Sequence, residues 1–249
     1  MQKDVSTTSQ EPAELSVGGM FDRIAPTYDL LNHVLSLGID RAWRRRVARL
    51  VATQEPARVL DLATGTGDLL IAILRECGLS TEIVGLDISE EMLKIGRRKT
   101  ERCEGAERVR FVQGDAMNTT LPSESFDAVT MGFGIRNTHN ASCTLAEIHR
   151  LLKPGGTAAI LEFSLPANRP WRACYLTYLR WGVPLVGALV SGHWRAYRYL
   201  NTSIEGFHRP DAFCQLMERA GFANVAATAL TWGIASIYTG SKDKPTEGS

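Results

Sequence analysis

The run Val59-Leu60-Asp61-Leu62-Ala63-Thr64-Gly65-Thr66-Gly67-Asp68 sets two glycines between an apolar stretch and a helical one. Gly65 and Gly67 allow a tight turn and a close backbone approach to a ligand. The free N–H groups of the helix start suit an anionic group such as a carboxylate. Asp87 closes the next apolar stretch, 20 positions after Gly67, and an acid there can accept hydrogen bonds from ribose hydroxyls. After the third stretch, Gly114-Asp115-Ala116 puts a carboxylate beside a small residue. That pair can accept from an adenine amino group and still leave room for the ring. Three such motifs at the ends of consecutive strands point to a site for an adenosine-bearing small molecule. The plainer alternative is that Asp61 and Asp68 only cap turns and Asp87 only ends a strand. A dinucleotide fingerprint needs a third glycine at position 70, where Leu70 stands, which disfavours a nicotinamide cofactor. No phosphate-loop lysine follows the glycines, which disfavours a nucleoside triphosphate.

These motifs need a sheet to carry them. From Arg58 onward, short apolar runs (ARVLDLA, TEIVGLD, VRFVQGD, FDAVTMGF, TAAILEF) alternate with helical stretches. Helices are expected up to about Cys77, from Ser89 and from about Asn140, the last ended by Lys153-Pro154-Gly155-Gly156. Alternation of this kind predicts a parallel sheet covered on both faces, and the right-handed crossover rule makes it doubly wound. A helix from Pro210 to Gly221 precedes FANVAATAL and IASIYTG, two strands joined by Thr231-Trp232-Gly233. So short a turn makes them an antiparallel hairpin. Before the sheet, residues 21–53 read as a helical cap. There Asp40 is expected to cap a helix whose Trp43, Val47, Leu50 and Val51 share one face. Arg41, Arg44, Arg45, Arg46 and Arg49 cover the remainder, either as a solvated face or as a basic surface for anionic lipid headgroups. Residues 165–208 form an apolar insert, expected to be a helical lid over the sheet.

The chain has 249 residues, of which 44% are apolar and 22% charged, with a net charge of +1. This is ordinary globular composition and gives no electrostatic case for nucleic acid. Residues 1–18 and 241–249 read as loose tails around a single domain of residues 19–240. The polar first twenty residues resemble no secretory leader, and no apolar run is long enough to span a bilayer. The five cysteines are scattered, with no metal-ligand spacing, so no metal is expected and the thiols read as reduced.

Beyond this fold-level pattern, the sequence resembles the ubiquinone/menaquinone-biosynthesis C-methyltransferases. The carrying segments are FDRIAPTYDLLNHVLSLG (21–38), LDLATGTGD (60–68), GLDISEEML (85–93), GDA (114–116) and FGIRN (133–137). LKPGG (152–156), LEFSLP (161–166) and YRYLNTSIEGF (197–207) continue the match. LDLATGTGD and LKPGG are widespread among methyltransferases, whereas the N-terminal block, FGIRN and YRYLNTSI are specific. The resemblance implies a class I, Rossmann-like α/β methyltransferase with a mostly parallel seven-stranded sheet. S-adenosylmethionine would be the methyl donor, with S-adenosylhomocysteine as product. Donor contacts are implied at Thr66, Asp87, Asp115, Ala116 and Gly132, the last through backbone only, beside the loop residues Asp61, Gly65 and Gly67.

The implied acceptor is the ring carbon of a reduced polyprenyl quinone, demethylmenaquinol in preference to the methoxybenzoquinol of the ubiquinone pathway. Carbon becomes nucleophilic when an adjacent hydroxyl loses its proton, so the site needs a base or a positive charge. Arg136 is the first candidate for that charge, with an ion pair to Asp115 as the alternative. Asn137 is placed to bond a ring oxygen, and Tyr28 and His33 are candidates to close over the site. A polyprenyl substrate lives in lipid, so the expected location is cytoplasmic, with peripheral contact at the inner face of the membrane through residues 165–195 and the Arg-rich helix 40–50. A homo-oligomer is left open. Competing readings are a methyltransferase for a small soluble acceptor and a donor-binding protein without chemistry.

Overall fold

A computed structural model describes residues 36–183 and 201–244. Helix α1 spans Asp40–Ala52, followed by β1 (Arg58–Leu62), α2 (Asp68–Glu76), β2 (Glu82–Asp87), α3 (Glu90–Thr100) and β3 (Val109–Gln113). Then come β4 (Phe126–Gly132), α4 (Ala141–Leu151), β5 (Leu152–Phe163), α5 (Arg169–Thr177), α6 (Pro210–Arg219), β6 (Ala223–Leu230) and β7 (Ala235–Ser241). The seven strands run in the order β3-β2-β1-β4-β5-β7-β6. Pairings from β3 through to β5 are parallel, and β7 lies antiparallel to both β5 and β6. The order reverses at β1/β4, the place where open α/β sheets take ligands at the carboxyl ends of their strands.

Alternation along the strands builds two cores. Val59 and Ile83 face one side with Trp43, Val47 and Val51 of α1 and Leu69, Leu70 and Ile73 of α2. Leu60, Val84 and Leu86 face the other with Leu145 and Ile148 of α4 and Phe213 and Met217 of α6. Ser89 and Asn140 cap α3 and α4 by accepting backbone N–H bonds, as their residue types predict. The Lys153–Gly156 stretch does end α4, but it also opens β5, where Leu152 pairs with Phe126 across a bulge. Gly155 has φ +81° there, a backbone state that favours glycine.

The N-terminal face departs from expectation. Ile39, not Asp40, stands at the cap position of α1, without a side-chain cap bond. Asp40 is one residue inside the helix and buried. Its carboxylate accepts from the Ser36 hydroxyl at 2.8 Å and from Arg44 Nε at 3.3 Å. Arg44 is therefore not part of the solvated basic face. It lies buried, its guanidinium 5.1 Å over the Phe133 ring. Leu50, expected among the buried residues, is only half-buried. Arg45 and Arg49 reach across to Glu76 of α2.

Within the insert, α5 passes into a π-helical turn at Tyr178–Gly182. Tyr175, Leu179, Val183 and Ile204 pack into the α1 side of the core. The hairpin tip is bolted to that side by Trp43 Nε1, which donates to Thr231 Oγ1 at 2.9 Å. Beyond the strand end, Lys242 exchanges backbone bonds with Gly155 and Gly156, so sheet pairing runs past residue 240. Among the described residues, no helix is long and apolar enough to cross a membrane.

Candidate active site

At the carboxyl edge of β1, β2, β3 and β4 lies a cavity with about 820 Å³ of empty space, counting its open mouth. Gly65, Asp87, Asp115 and Asn137 supply polar groups, and Leu86, Ile88, Met92, Ala116, Met117 and Phe133 supply apolar walls. The loop is built by Asp61 beneath it. Asp61 is buried and accepts from Thr64 Oγ1 and Thr130 Oγ1, each at 2.7 Å. Burial pushes its carboxyl up to about 6, against the lowering effect of the two hydroxyls and of Arg44. Asp61 thus acts as a strut for the loop and does not line the cavity.

Asp87 does both jobs. Its Oδ2 accepts from Gly65 N–H at 2.8 Å and its Oδ1 from Ser89 N–H at 2.9 Å, so one carboxylate ties the glycine loop to the start of α3. A carboxylate in this position can also accept from a ligand hydroxyl. Asp115 Oδ1 accepts from Met117 N–H at 2.8 Å, which fixes the turn after β3 and turns the carboxylate along the cavity wall. Gly65 (φ +56°) and Gly67 (φ +82°) adopt the left-handed conformations that the loop requires.

Three expected donor contacts sit elsewhere. The Thr66 hydroxyl accepts from Lys99 Nζ at 3.2 Å on the far side of the loop. Gly67 caps α2. Gly132 faces Leu69, whose Cδ2 would lie 3.1 Å from a Cβ added there. The next residues, Phe133 and Gly134, reach the cavity instead. Position 70 also finds its explanation. The Cδ1 of Leu70 lies only 2.6 Å from where a Cβ on Gly85 would be. Close approach of helix to strand is achieved by placing the glycine on β2 rather than on the helix.

After β4 the chain makes a tight turn, with Phe133 at φ +57° and a 3-10 turn over Ile135–Asn137. A left-handed backbone is rare for a bulky residue and concentrates at functional sites. Asn137 lines the cavity and its Nδ2 donates to Phe133 O at 3.2 Å. Arg136 is paired with Glu162 rather than with Asp115. Its Nη1 donates to Glu162 Oε1 at 2.6 Å and to Phe133 O at 2.7 Å, and its guanidinium lies 5.4 Å over the Phe163 ring. Glu162 is the residue that sequence reasoning missed. It is wholly buried and also accepts from the backbone N–H groups of Phe163 and Arg136. Burial holds its carboxyl above the usual glutamate range in spite of Arg136. Its sequence signal was a charged residue inside an otherwise apolar strand, Ile160-Leu161-Glu162-Phe163. Tyr28 and His33 lie outside the described residues.

The donor set suits S-adenosylmethionine: carboxylates at two corners for ribose and adenine, an apolar slot between them, and backbone N–H groups at a helix start. The ubiE/COQ5 methyltransferase family profile matches residues 7–242. The chain is 45% identical over 226 residues to a demethylmenaquinone methyltransferase of Thermus thermophilus, covering 91% of this chain and 100% of that one. It is 44% identical over 223 residues to the ubiquinone/menaquinone biosynthesis C-methyltransferase UbiE of Geobacter sulfurreducens, covering 90% and 87%. Among solved structures, an S-adenosylmethionine-dependent methyltransferase from Thermotoga maritima superposes with TM-score 0.64 at 19% identity, covering 91% and 100%.

Proposed function

Since the chain belongs to the ubiE/COQ5 methyltransferase family, we propose that it methylates a ring carbon of a reduced polyprenyl quinone, with demethylmenaquinol as the preferred acceptor. The Geobacter relative is named for both ubiquinone and menaquinone biosynthesis, so a methoxybenzoquinol is the second reading. The strongest support is one juxtaposition. The carboxylate-lined cavity and the buried Arg136–Glu162 pair meet at the Phe133–Asn137 turn.

S-adenosylmethionine, when bound, supplies an electrophilic methyl group on a positively charged sulfur. Asp87 would hold the ribose hydroxyls, Asp115 the adenine amino group, and the α2 start with Gly65 the carboxylate. Ala116 would leave space for the adenine ring. Asn137, on the wall shared with the acceptor, would orient a ring oxygen. Holding the two reactants aligned supplies several kcal/mol of the barrier lowering, on the order of 7–11 at best.

The acceptor must be the quinol, because the oxidised ring is electron-poor. Glu162, with its proton affinity raised by burial, takes the hydroxyl proton, and Arg136 stabilises the resulting phenolate. The new carbon–carbon bond forms as the sulfur–methyl bond breaks. The methylated ring carbon, now tetrahedral beside a carbonyl, loses its hydrogen as a proton to water, which restores the aromatic ring as phenolate. Glu162 then returns its proton to that oxygen, and one proton is released overall. Arg136 thus acts as the cationic half of a neutral pair, not as an isolated charge. Guanidinium stays protonated throughout.

A lipid substrate requires a visit to the bilayer surface. The exposed Arg41 and Arg46 of α1, and the exposed Trp181 after α5, are suited to anionic headgroups and to the interface. This gives a cytoplasmic enzyme in peripheral contact with the membrane. Incubation with labelled methyl donor and each reduced quinol, under dithionite and in air, tests the reading. Mass spectrometry should find methylated naphthoquinol under dithionite only; equal product in both conditions would contradict the phenolate account.

A further inference from the structure

Among the described residues, two buried polar atoms near the Arg136–Glu162 pair have no hydrogen-bond partner: the Tyr175 hydroxyl and Arg136 Nε. Tyr175 is 3% exposed and sits in α5, in the same buried cluster as Phe133 and Phe163. Arg136 lies over the Phe163 ring. The Tyr175 hydroxyl feels the charges of both Arg136 and Glu162, so the lid helix and the turn after β4 bring these groups into one neighbourhood. Arg136 Nη1 is shared by Phe133 O and Glu162, and the Glu162 carboxylate accepts from Arg136 and from two backbone N–H groups, with only one of these bonds on Oε2, which keeps a lone pair for the acceptor's proton. A buried hydroxyl without a partner costs stability that a phenylalanine would not. Such groups are few in native proteins, and each calls for a reason.

We propose that Tyr175 is an acceptor-binding residue: its hydroxyl and Arg136 Nε–H together receive the hydroxyl oxygen of the reduced ring next to the carbon that is methylated. The assignment rests on the quinol-methyltransferase reading above. A neutral O–H and a guanidinium N–H both donate to an oxygen, and they favour it most as that oxygen becomes phenolate. The two sites adjoin at Phe133, which lines the donor cavity and stacks on Phe163 with ring centroids 4.5 Å apart. Entry of the acceptor requires α5 to shift. The π-helical turn at Tyr178–Gly182 provides the irregular joint, since such turns interrupt the regular ladder and gather at functional sites. Tyr175 ionisation is itself pushed upward by burial, so the phenol stays protonated and remains a donor.

The test is Tyr175→Phe in the full chain, assayed with reduced demethylated naphthoquinol under dithionite. The expected result is a fall in kcat/KM of about ten-fold or more, carried mainly by kcat. S-adenosylhomocysteine affinity should stay within about two-fold, and the melting temperature should be equal or higher. Unchanged kcat/KM would overturn the assignment. A lowered melting temperature would also overturn it, because the hydroxyl would then have a structural role. If the wild-type chain methylates neither reduced quinol, the functional reading itself fails and takes the assignment with it. Wild-type turnover matched by Tyr175→Phe removes the assignment alone.

Discussion

Arg136 Nη1 and Glu162 Oε1 lie 2.6 Å apart, with side chains only 2% and 0% exposed. They join the turn after β4 to the carboxyl end of β5. Removing one member of a buried pair strands the other without water, which costs about 3–5 kcal/mol. Arg136→Ala should therefore lose stability as well as turnover, and activity alone cannot report its chemistry. Arg136→Met combined with Glu162→Leu should recover much of the stability and none of the turnover. Urea denaturation of the two singles and the double checks this; additive losses would show that the residues are not coupled.

Asp87 carries the glycine loop and the α3 start on one carboxylate. Asp87→Ala should weaken S-adenosylhomocysteine binding by more than about ten-fold, since it removes a charged acceptor and frees the Gly65 backbone. Isothermal titration measures this directly. An unchanged affinity would displace Asp87 from the donor site.

Asp61 gives a pH dependence with a definite sign. Its carboxyl is raised from an ordinary 3.8 to about 6 in the folded chain. The folded state then holds the proton more tightly than the unfolded chain, so its stability falls as pH rises from about 4 to about 6 and levels off above that. The size is about 2–3 kcal/mol for one such group. Asp61→Asn should flatten this part of the profile. Denaturation midpoints at pH 4.5 and 6.5 for both proteins decide it, and parallel profiles would contradict the assignment.

Gly85 and Leu70 are matched in volume. A methyl group at position 85 would meet Leu70 Cδ1 at 2.6 Å, Thr64 Cγ2 at 3.0 Å and Phe111 Cδ1 at 3.2 Å. Gly85→Ala should cost about 1–3 kcal/mol, and in the Leu70→Ala background it should cost clearly less. Thermal unfolding of the cycle measures the coupling, and equal costs in both backgrounds would show that Leu70 is not the obstacle.

Element order was legible because the apolar periods alternate cleanly and because Ser89, Asn140, Pro210 and Gly221 punctuate them. The glycine loop, Asp87 and Asp115 were legible for the same local reason: each ends a strand at the same edge. What stayed hidden depended on which strands become neighbours. In sequence Arg136 reads as the charge beside the acceptor hydroxyl, with Asp115 only as an alternative partner, and the β4–β5 pairing brings it to Glu162 instead. Leu70 read as a departure from close packing because the compensating glycine sits on another strand. Asp40 looked like a cap by residue type, yet Ser36 and Arg44 draw it into the interior. Tyr175 is one aromatic among many in the insert's sequence, and only the fold buries its hydroxyl without a partner among the described residues.

The placement of β7 between β5 and β6 bears on how the molecule is made. The strand that seals β5 is encoded last, so a nascent chain emerging from the ribosome holds β5 with one bare flank until Ala235–Ser241 has appeared. That flank is a 12-residue strand whose second half is entirely buried in the finished protein. Any premature stop ahead of Ala235 would leave an apolar edge free to stick to its neighbours, making late truncations insoluble rather than merely inactive.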